Sequence, residues 1–277
     1  MIAVIDLDPV VHIVSAVQFG SGNHTDVKRV KDHVSQFVNN VIKSSECDSY
    51  IMFFQDIGHD NYRKHILPEY KGHRKSSEAI DRWKSPICEE LTRLKAVPLY
   101  EIESDDALAL YVNKCMLDGD DYVVVENDKD LAMLPGKHYN PYKNQPKNKP
   151  PFPRFYHFSE AEAMLSMWCQ VITGDPTDMP NDQCGIELVG PVKARKALEN
   201  LNPRLYSAKA MQMYTEKYGI SKGLRRMALT YDMVMLLFNP TVDIPETKKV
   251  VALKPTPFND SVDSLFSNEK PSNDLFK

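Results

Sequence analysis

In Ala96-Val-Pro-Leu-Tyr100-Glu-Ile-Glu-Ser-Asp105-Asp-Ala-Leu-Ala-Leu110-Tyr111 an apolar run gives way to acids and then to a helical apolar pattern. Ala96, Val97, Leu99 and Tyr100 read as a strand, and Ala107, Leu108, Leu110 and Tyr111 as one buried face of a helix. A strand-to-helix junction therefore falls between Glu101 and Asp106. Carboxylates suit a helix N-terminus, where free N–H groups and the macrodipole favour negative charge. Glu103, Asp105 and Asp106 are more acids than a cap needs, and charges so close raise one another's pKa unless a cation lies among them. The stretch is either a solvated acidic helix start or one wall of a divalent-metal site.

Working outward, Ile2-Ala-Val-Ile-Asp-Leu7 is a continuous apolar run, as expected of a strand buried on both faces of a parallel sheet. It delivers Asp6 and Asp8. Residues 26–43 carry Val27, Val30, Val34, Phe37, Val38, Val41 and Ile42 at helical spacing, and Ser49 to Phe54 reads as a second strand ending at Asp56. Residues 58–78 are polar, basic and aromatic, with no core period. Residues 79–95 read as a helix broken near Pro86. After the strand at 96–102 and the helix at 105–117, Tyr122 to Val125 forms another buried strand, ending in Glu126-Asn-Asp-Lys-Asp130. This alternation predicts an α/β fold with a mostly parallel central sheet flanked by helices.

Residues 131–158 hold five Lys/Arg and six prolines and read as a short hairpin or strand with a long loop. Ser159-Glu-Ala-Glu162 is a capping box opening a helix to about Ile172, which stops at Gly174-Asp-Pro-Thr-Asp178. A turn and helix follow at 185–200, then helices at 207–218 and 221–238. The expected division is a core over 1–158 with its basic stretch at 58–78, a helical subdomain over 159–254, and a disordered Ser/Asn/Asp/Pro-rich tail over 255–277.

The chain has 277 residues, 42% hydrophobic and 26% charged, enough for a sizeable core. Its net charge of −4 means that a polyanionic partner would need local positive charge. The five cysteines are odd in number and lack C-x-x-C spacing, which points to reduced thiols and away from a disulfide framework or zinc site. The start of the chain has no signal-peptide pattern, and no apolar run approaches the ~18 residues of a membrane span. A cytoplasmic protein without a membrane partner is expected.

Asp6, Asp56, the Glu103/Asp105/Asp106 group, Asp128 and Asp130 all lie at or just past the C-terminal end of an expected strand. In a parallel sheet those ends share one edge, where ligands bind. Asp175 and Asp178 can join them from the end of a helix. All-oxygen ligation with no Cys or His points to Mg²⁺, with Mn²⁺ as a substitute, and two such ions suit in-line displacement at phosphorus. Beside the acids, Tyr62-Arg-Lys-His-Ile-Leu-Pro-Glu-Tyr70-Lys-Gly-His-Arg-Lys75 interleaves cations with tyrosines, as a single-stranded nucleic-acid end requires. A second basic region, 193–226, follows a glycine turn, Gly185 to Gly190, that could clamp duplex phosphate through its backbone.

These motifs, in this order over residues 2–200, resemble those of the 5′-nuclease or flap-endonuclease superfamily, with a PIN-like core, and above all the phage-type 5′→3′ exonucleases. The resemblance implies a PIN-like core with a helix–hairpin–helix-type C-terminal subdomain. It implies that Asp6, Asp56, Glu103, Asp105 and Asp106 hold or orient one metal, and Asp128, Asp130, Asp175 and Asp178 a second. It makes Lys71 and Arg74 the arch cations that grip and polarise the scissile phosphate, with Asp6 and Asp106 beside them in the catalytic set. Tyr70 would face the terminal bases. Lys75, Gly190, Lys193, Arg195 and Lys196 would touch DNA, and K⁺ would sit at the Gly185–Gly190 turn. The implied substrates are DNA 5′ ends, flaps and duplex, and the RNA of RNA–DNA hybrids; a phage-encoded chain would act in the host cytoplasm. Two features depart from the pattern: Leu7-Asp8-Pro9 replaces a small polar pair, and 12 residues separate Asp178 from Gly190.

Two other readings remain open on sequence. Val4-Ile-Asp6-Leu-Asp8-Pro-Val10 fits the nucleophile strand of a haloacid-dehalogenase-type phosphatase, with Asp6 as nucleophile and Asp8 as acid/base. A non-catalytic nucleic-acid-binding module on the same fold is the other. In the tail, Ser264-Leu-Phe266 and Asp274-Leu-Phe276 could dock a replisome protein.

Overall fold

The computed structural model describes residues 1–20, 26–58, 60–74, 77–141, 155–180 and 183–236. The Leu-Phe motifs of the tail and Lys75 lie outside them. The elements run β1 (Ile2–Asp6), α1 (Asp8–Gly20), α2 (Val27–Ser44), β2 (Ser49–Gln55), α3 (Arg63–Ile66), α4 (Glu78–Arg93), β3 (Val97–Leu99), α5 (Ser104–Asp118), β4 (Tyr122–Val125), β5 (Gly136–Tyr139), β6 (Phe155–Phe158), α6 (Glu160–Thr173), α7 (Pro191–Leu198), α8 (Tyr206–Tyr218) and α9 (Ile220–Val234). A 3₁₀ turn covers Lys129–Met133.

The sheet order is β3-β2-β1-β4-β5-β6. All neighbours pair in parallel except β5 and β6, which are antiparallel. The expected mostly parallel α/β sheet is present. Its apolar strands separate by alternation, because successive side chains point to opposite faces. Ala3, Ile5, Met52, Phe54, Val123 and Val125 pack on one face with α1, α2 and α4. Val4, Ile51, Phe53 and Val124 pack on the other with α5. A third cluster joins α6 to α9, and it draws in Leu67 and Tyr70 from the basic stretch.

Three local expectations are corrected. The first is that α4 runs unbroken through Pro86. Trp83, Ile87, Cys88 and Leu91 form a buried stripe across it, and that burial outweighs the roughly 3 kcal/mol cost of an interior proline. The second is that β3 is short. Beyond Leu99 the carbonyls of Tyr100 and Glu101 accept from Asp60 (2.6 Å) and Tyr62 (3.0 Å), so the chain leaves the sheet to pair with that loop. The third is α1, which was not expected as a helix; it begins directly after β1 with Val10, Val11 and Val14 buried. No helix among the described residues is long and apolar enough to cross a membrane.

Candidate metal centre

β1 lies between β2 and β4, so the chain switches direction across the sheet there, and a crevice opens outside the strand ends. A cleft of about 360 Å³ occupies that position. Asp6, Asp8, Glu103, Asp105 and Asp128 line it together with Lys71 and Arg74. A smaller hollow lies behind it, lined by Glu103, Asp105, Asp130, Asp175 and Asp178. Glu103 and Asp105 thus form a shared wall. The ligand atoms of Glu103, Asp105 and Asp106 come within 4.8 Å of one another.

Each acid has a distinct environment. Asp6 accepts from Ser104 Oγ (2.7 Å) and from the Asp8 N–H (3.0 Å). Burial and the charges of Asp8 and Asp128 still push its pKa well up. Asp8 accepts from the Gln55 N–H at 2.8 Å, and burial raises it to about 6. Burial and the charges of Glu103 and Asp106 raise Asp105. Burial, Asp128 and Asp175 raise Asp130 to about 7. Asp175 accepts from Thr177 N (2.9 Å) and Oγ1 (2.5 Å). Asp178 is raised by burial, against the pull of Lys71 and Arg74.

Arg63 was read only as part of the basic stretch, yet it is 2% exposed. Its Nη1 and Nη2 bond Asp106 at 2.5 and 2.8 Å, Nη1 bonds Glu103 at 3.1 Å, and Nε and Nη2 reach the carbonyls of Met233 (3.0 Å) and Met235 (2.8 Å). Asp106 is fully buried against this guanidinium and lines neither hollow. Burial would raise Glu103, but Lys71 and Arg63 hold it below the usual range. Asp56 also lies outside both hollows: its carboxylate accepts from Tyr100 Oη at 2.8 Å and from the Ile57 N–H at 2.7 Å.

The basic stretch does not stand clear of the body. The Lys71 N–H bonds the Asp178 carbonyl at 2.7 Å. The Lys71 ammonium pairs with Glu103 and lies 3.6 Å from Asp178, and Arg74 pairs with Asp178. Tyr70 corrects an expectation. Its ring is 3% exposed in the third core cluster and offers no face to a base; its hydroxyl donates to Glu103 at 2.8 Å and lies 3.2 Å from Asp178. No sequence signal separates a buried arginine or tyrosine in this stretch from an exposed one.

The glycine turn is built as a close backbone approach. Gly185 has φ +57°, and a Cβ there would meet the Thr173 carbonyl oxygen at 2.1 Å, so only glycine fits. Gly190 caps α7 and is open. Lys193 bonds the Leu188 carbonyl at 3.0 Å, Arg195 lies 3.6 Å from Glu199, and Lys196 is exposed.

Carboxylates dominate the lining of both hollows, with His12 also in the larger one and Met179 and Met233 in the smaller, and several of the carboxyls carry raised pKa values, as expected where a divalent cation would offset mutual repulsion. Among the described residues, Glu103, Asp105 and Asp106 bring carboxylate oxygens close enough together to hold one ion.

The comparisons with known proteins agree. Over 102 residues the chain is 28% identical to the DNA polymerase I of Bacillus caldotenax, a match that covers 36% of this chain and 12% of the polymerase. The fold is similar to that of the T5 5′-exonuclease, solved with zinc bound (TM-score 0.57, 15% identity, 96% of this chain and 100% of that one). It is also similar to the flap endonuclease of bacteriophage T5, solved as a pseudo-enzyme–product complex with DNA and metal ions (TM-score 0.59, 16% identity, 86% and 90%). A family model described as 5′-3′ exonuclease, N-terminal resolvase-like domain, matches residues 15–161. With more than half of its length matched, and with its acids gathered at the switch point of such a sheet, this chain belongs to the 5′-3′ exonuclease family.

Proposed function

We propose that this chain is a Mg²⁺-dependent 5′→3′ exonuclease and 5′-flap endonuclease that hydrolyses DNA phosphodiesters with two divalent ions. The observation that carries this reading is the pair of acid-lined hollows that share Glu103 and Asp105 beside Lys71 and Arg74. The bound ions would lower the pKa of the attacking water and neutralise the leaving oxygen. Lys71 and Arg74, paired with Glu103 and Asp178 beside the acids, bind and polarise the phosphate. Ser104 and the Asp8 N–H orient Asp6 by their hydrogen bonds. Arg63 and Tyr100 take up Asp106 and Asp56, which therefore act by orienting their neighbours.

Residues Gly190, Lys193, Arg195 and Lys196 would hold the duplex behind the cleavage point, with K⁺ at the Gly185–Gly190 turn, and Lys75 would also contact DNA. RNA–DNA hybrids would be substrates on the same phosphate contacts, and the tail would recruit a replisome protein. The haloacid-dehalogenase reading uses Asp6, Asp8 and the acids of Gly174-Asp-Pro-Thr-Asp178, which resemble that family's late acidic motif, and leaves Glu103 to Asp106, Asp128, Asp130 and the Tyr70–Arg74 stretch without a role. The test is digestion of 5′-labelled blunt, nicked, flapped and RNA–DNA substrates in Mg²⁺. Asp130→Ala should cut release by more than the ~10–100-fold typical of residues that merely support a metal ligand. Unchanged release by folded Asp130→Ala would refute the metal assignment, and turnover of a small aryl phosphate would restore the phosphatase.

A further inference from the structure

The acid cluster and the glycine turn are joined by one element. We propose that the second half of α9, from Arg226 to Met235 just past its end, is a strut that sets the spacing between the 184–190 turn and the acid cluster, with Arg226 and Arg63 as positioning residues at its two ends. The proposal rests on the reading of the turn as a duplex grip and of the cluster as the cleavage centre.

At one end, buried Arg226 donates from Nε to the Gly185 carbonyl (2.7 Å) and from Nη2 to the Cys184 carbonyl (2.8 Å). Thr230 Oγ1 accepts from the Gly185 N–H (3.1 Å) and donates to the Arg226 carbonyl (2.8 Å). The Arg226 guanidinium lies over the Tyr218 ring, 4.9 Å from its centroid, and the Tyr218 hydroxyl accepts from the Glu187 N–H at 2.9 Å. The backbone of the turn is therefore bonded at three residues to side chains of α8 and α9. At the other end, the carbonyls of Met233 and Met235 accept from Arg63, whose remaining N–H groups bind Glu103 and Asp106.

Arg226 and Met235, the residue just past the helix, are nine positions apart, roughly 13 Å at 1.5 Å per helical residue. That interval, Arg226-Met-Ala-Leu-Thr-Tyr-Asp-Met-Val-Met235, contains no glycine or proline at which a helix would kink. Gly223 seats the helix, because a Cβ there would meet the Tyr214 carbonyl oxygen at 2.6 Å. A substrate held at both places would be cut at a position fixed by this spacing.

Two variants test the strut: Thr230→Val, which keeps the volume and loses the turn's acceptor, and Arg226→Met. Two readouts are taken on folded full-length protein. The first is the distance distribution between spin labels attached by non-cysteine chemistry at exposed Lys129 and Lys196. The second is the cut position on a 5′-flap at single-nucleotide resolution. The parent should give one narrow distance and one dominant cut. The variants should give a broadened distance and cuts spread over neighbouring positions, with the rate at the parental position down by up to about 100-fold, the cost of a 1 Å misplacement. An unchanged distance, or a slower cut at the same single position, would overturn the strut. If Arg226→Met does not fold, Thr230→Val alone decides. A parent that cuts nothing in Mg²⁺ or Mn²⁺ would sink the nuclease reading, while the distance measurement still judges the strut.

Discussion

A guanidinium can leave water only if its N–H groups find acceptors, and all five of Arg63's do. It supplies the internal cation that permits Glu103 and Asp106 to sit a few residues apart at a buried helix start. Removing one partner of such a pair strands the other. Arg63→Met should therefore cost about 3–5 kcal/mol in urea unfolding. Arg63→Met combined with Asp106→Leu should recover most of that loss, because no buried charge is then left unpaired. Tyr70→Phe should cost about 1.5–3 kcal/mol, the value of one hydrogen bond to a charged group. Equal losses for Arg63→Met and the double variant would show that the guanidinium acts by packing and not by charge. The sequence distinguishes poorly at this scale. Arg63, Tyr70 and Arg74 stand within one basic stretch, and which of them is buried depends on Glu103 and α9, far away along the chain. Asp6 and Glu103 were legible because a strand end fixes where they fall.

At the scale of elements, two glycines of one turn make opposite predictions. Gly185→Ala forces a side chain onto the Thr173 carbonyl at a positive φ, and should cost more than about 2 kcal/mol in thermal or urea unfolding. Gly190→Ala meets open space at φ −87° and should change stability by less than about 0.5 kcal/mol. If Gly190 lets a duplex approach, the same Ala variant should still weaken duplex binding in a fluorescence anisotropy titration; full affinity would remove Gly190 from the grip. Most elements were legible from their periods: the α2 stripe, the Ser159 capping box and the buried β4 run all form where expected. α1 was missed because its buried valines, Val10, Val11 and Val14, begin within four residues of β1, with only Asp8 and Pro9 between strand and apolar face to mark a helix start. The unbroken α4 shows the reverse, a local proline signal overridden by the core that Trp83 and Leu91 enter.

For the whole molecule, the gathered carboxyls tie stability to pH. Asp8 is raised to about 6 and Asp130 to about 7, and Asp6 and Asp105 lie well above the usual carboxylate range. A group raised in the folded state holds a proton there that the unfolded chain has already released, so its contribution is complete below the unfolded value. It is lost as pH rises through the folded value. Without divalent ions, stability should therefore fall as pH rises above about 4, through about 6 for Asp8 and about 7 for Asp130, with Asp6 and Asp105 acting in the same sense. Glu103 works in the opposite sense: held below 4.5 by Lys71 and Arg63, it contributes above that pH and is lost only in stronger acid. In EDTA the melting temperature should thus peak near pH 4 and decline toward pH 8. Mg²⁺ binds the ionised acids, so it should raise the melting temperature more at pH 8 than at pH 5, adding about 2.7 kcal/mol at a hundredfold excess over its dissociation constant. The Asp130→Asn variant removes one repelling charge from the second hollow, so in EDTA it should melt higher than the parent at pH 8 and gain less from Mg²⁺. A pH-independent melting temperature in EDTA would mean that the acids do not share one enclosed field, and the coupling drawn here between fold stability and metal would not hold.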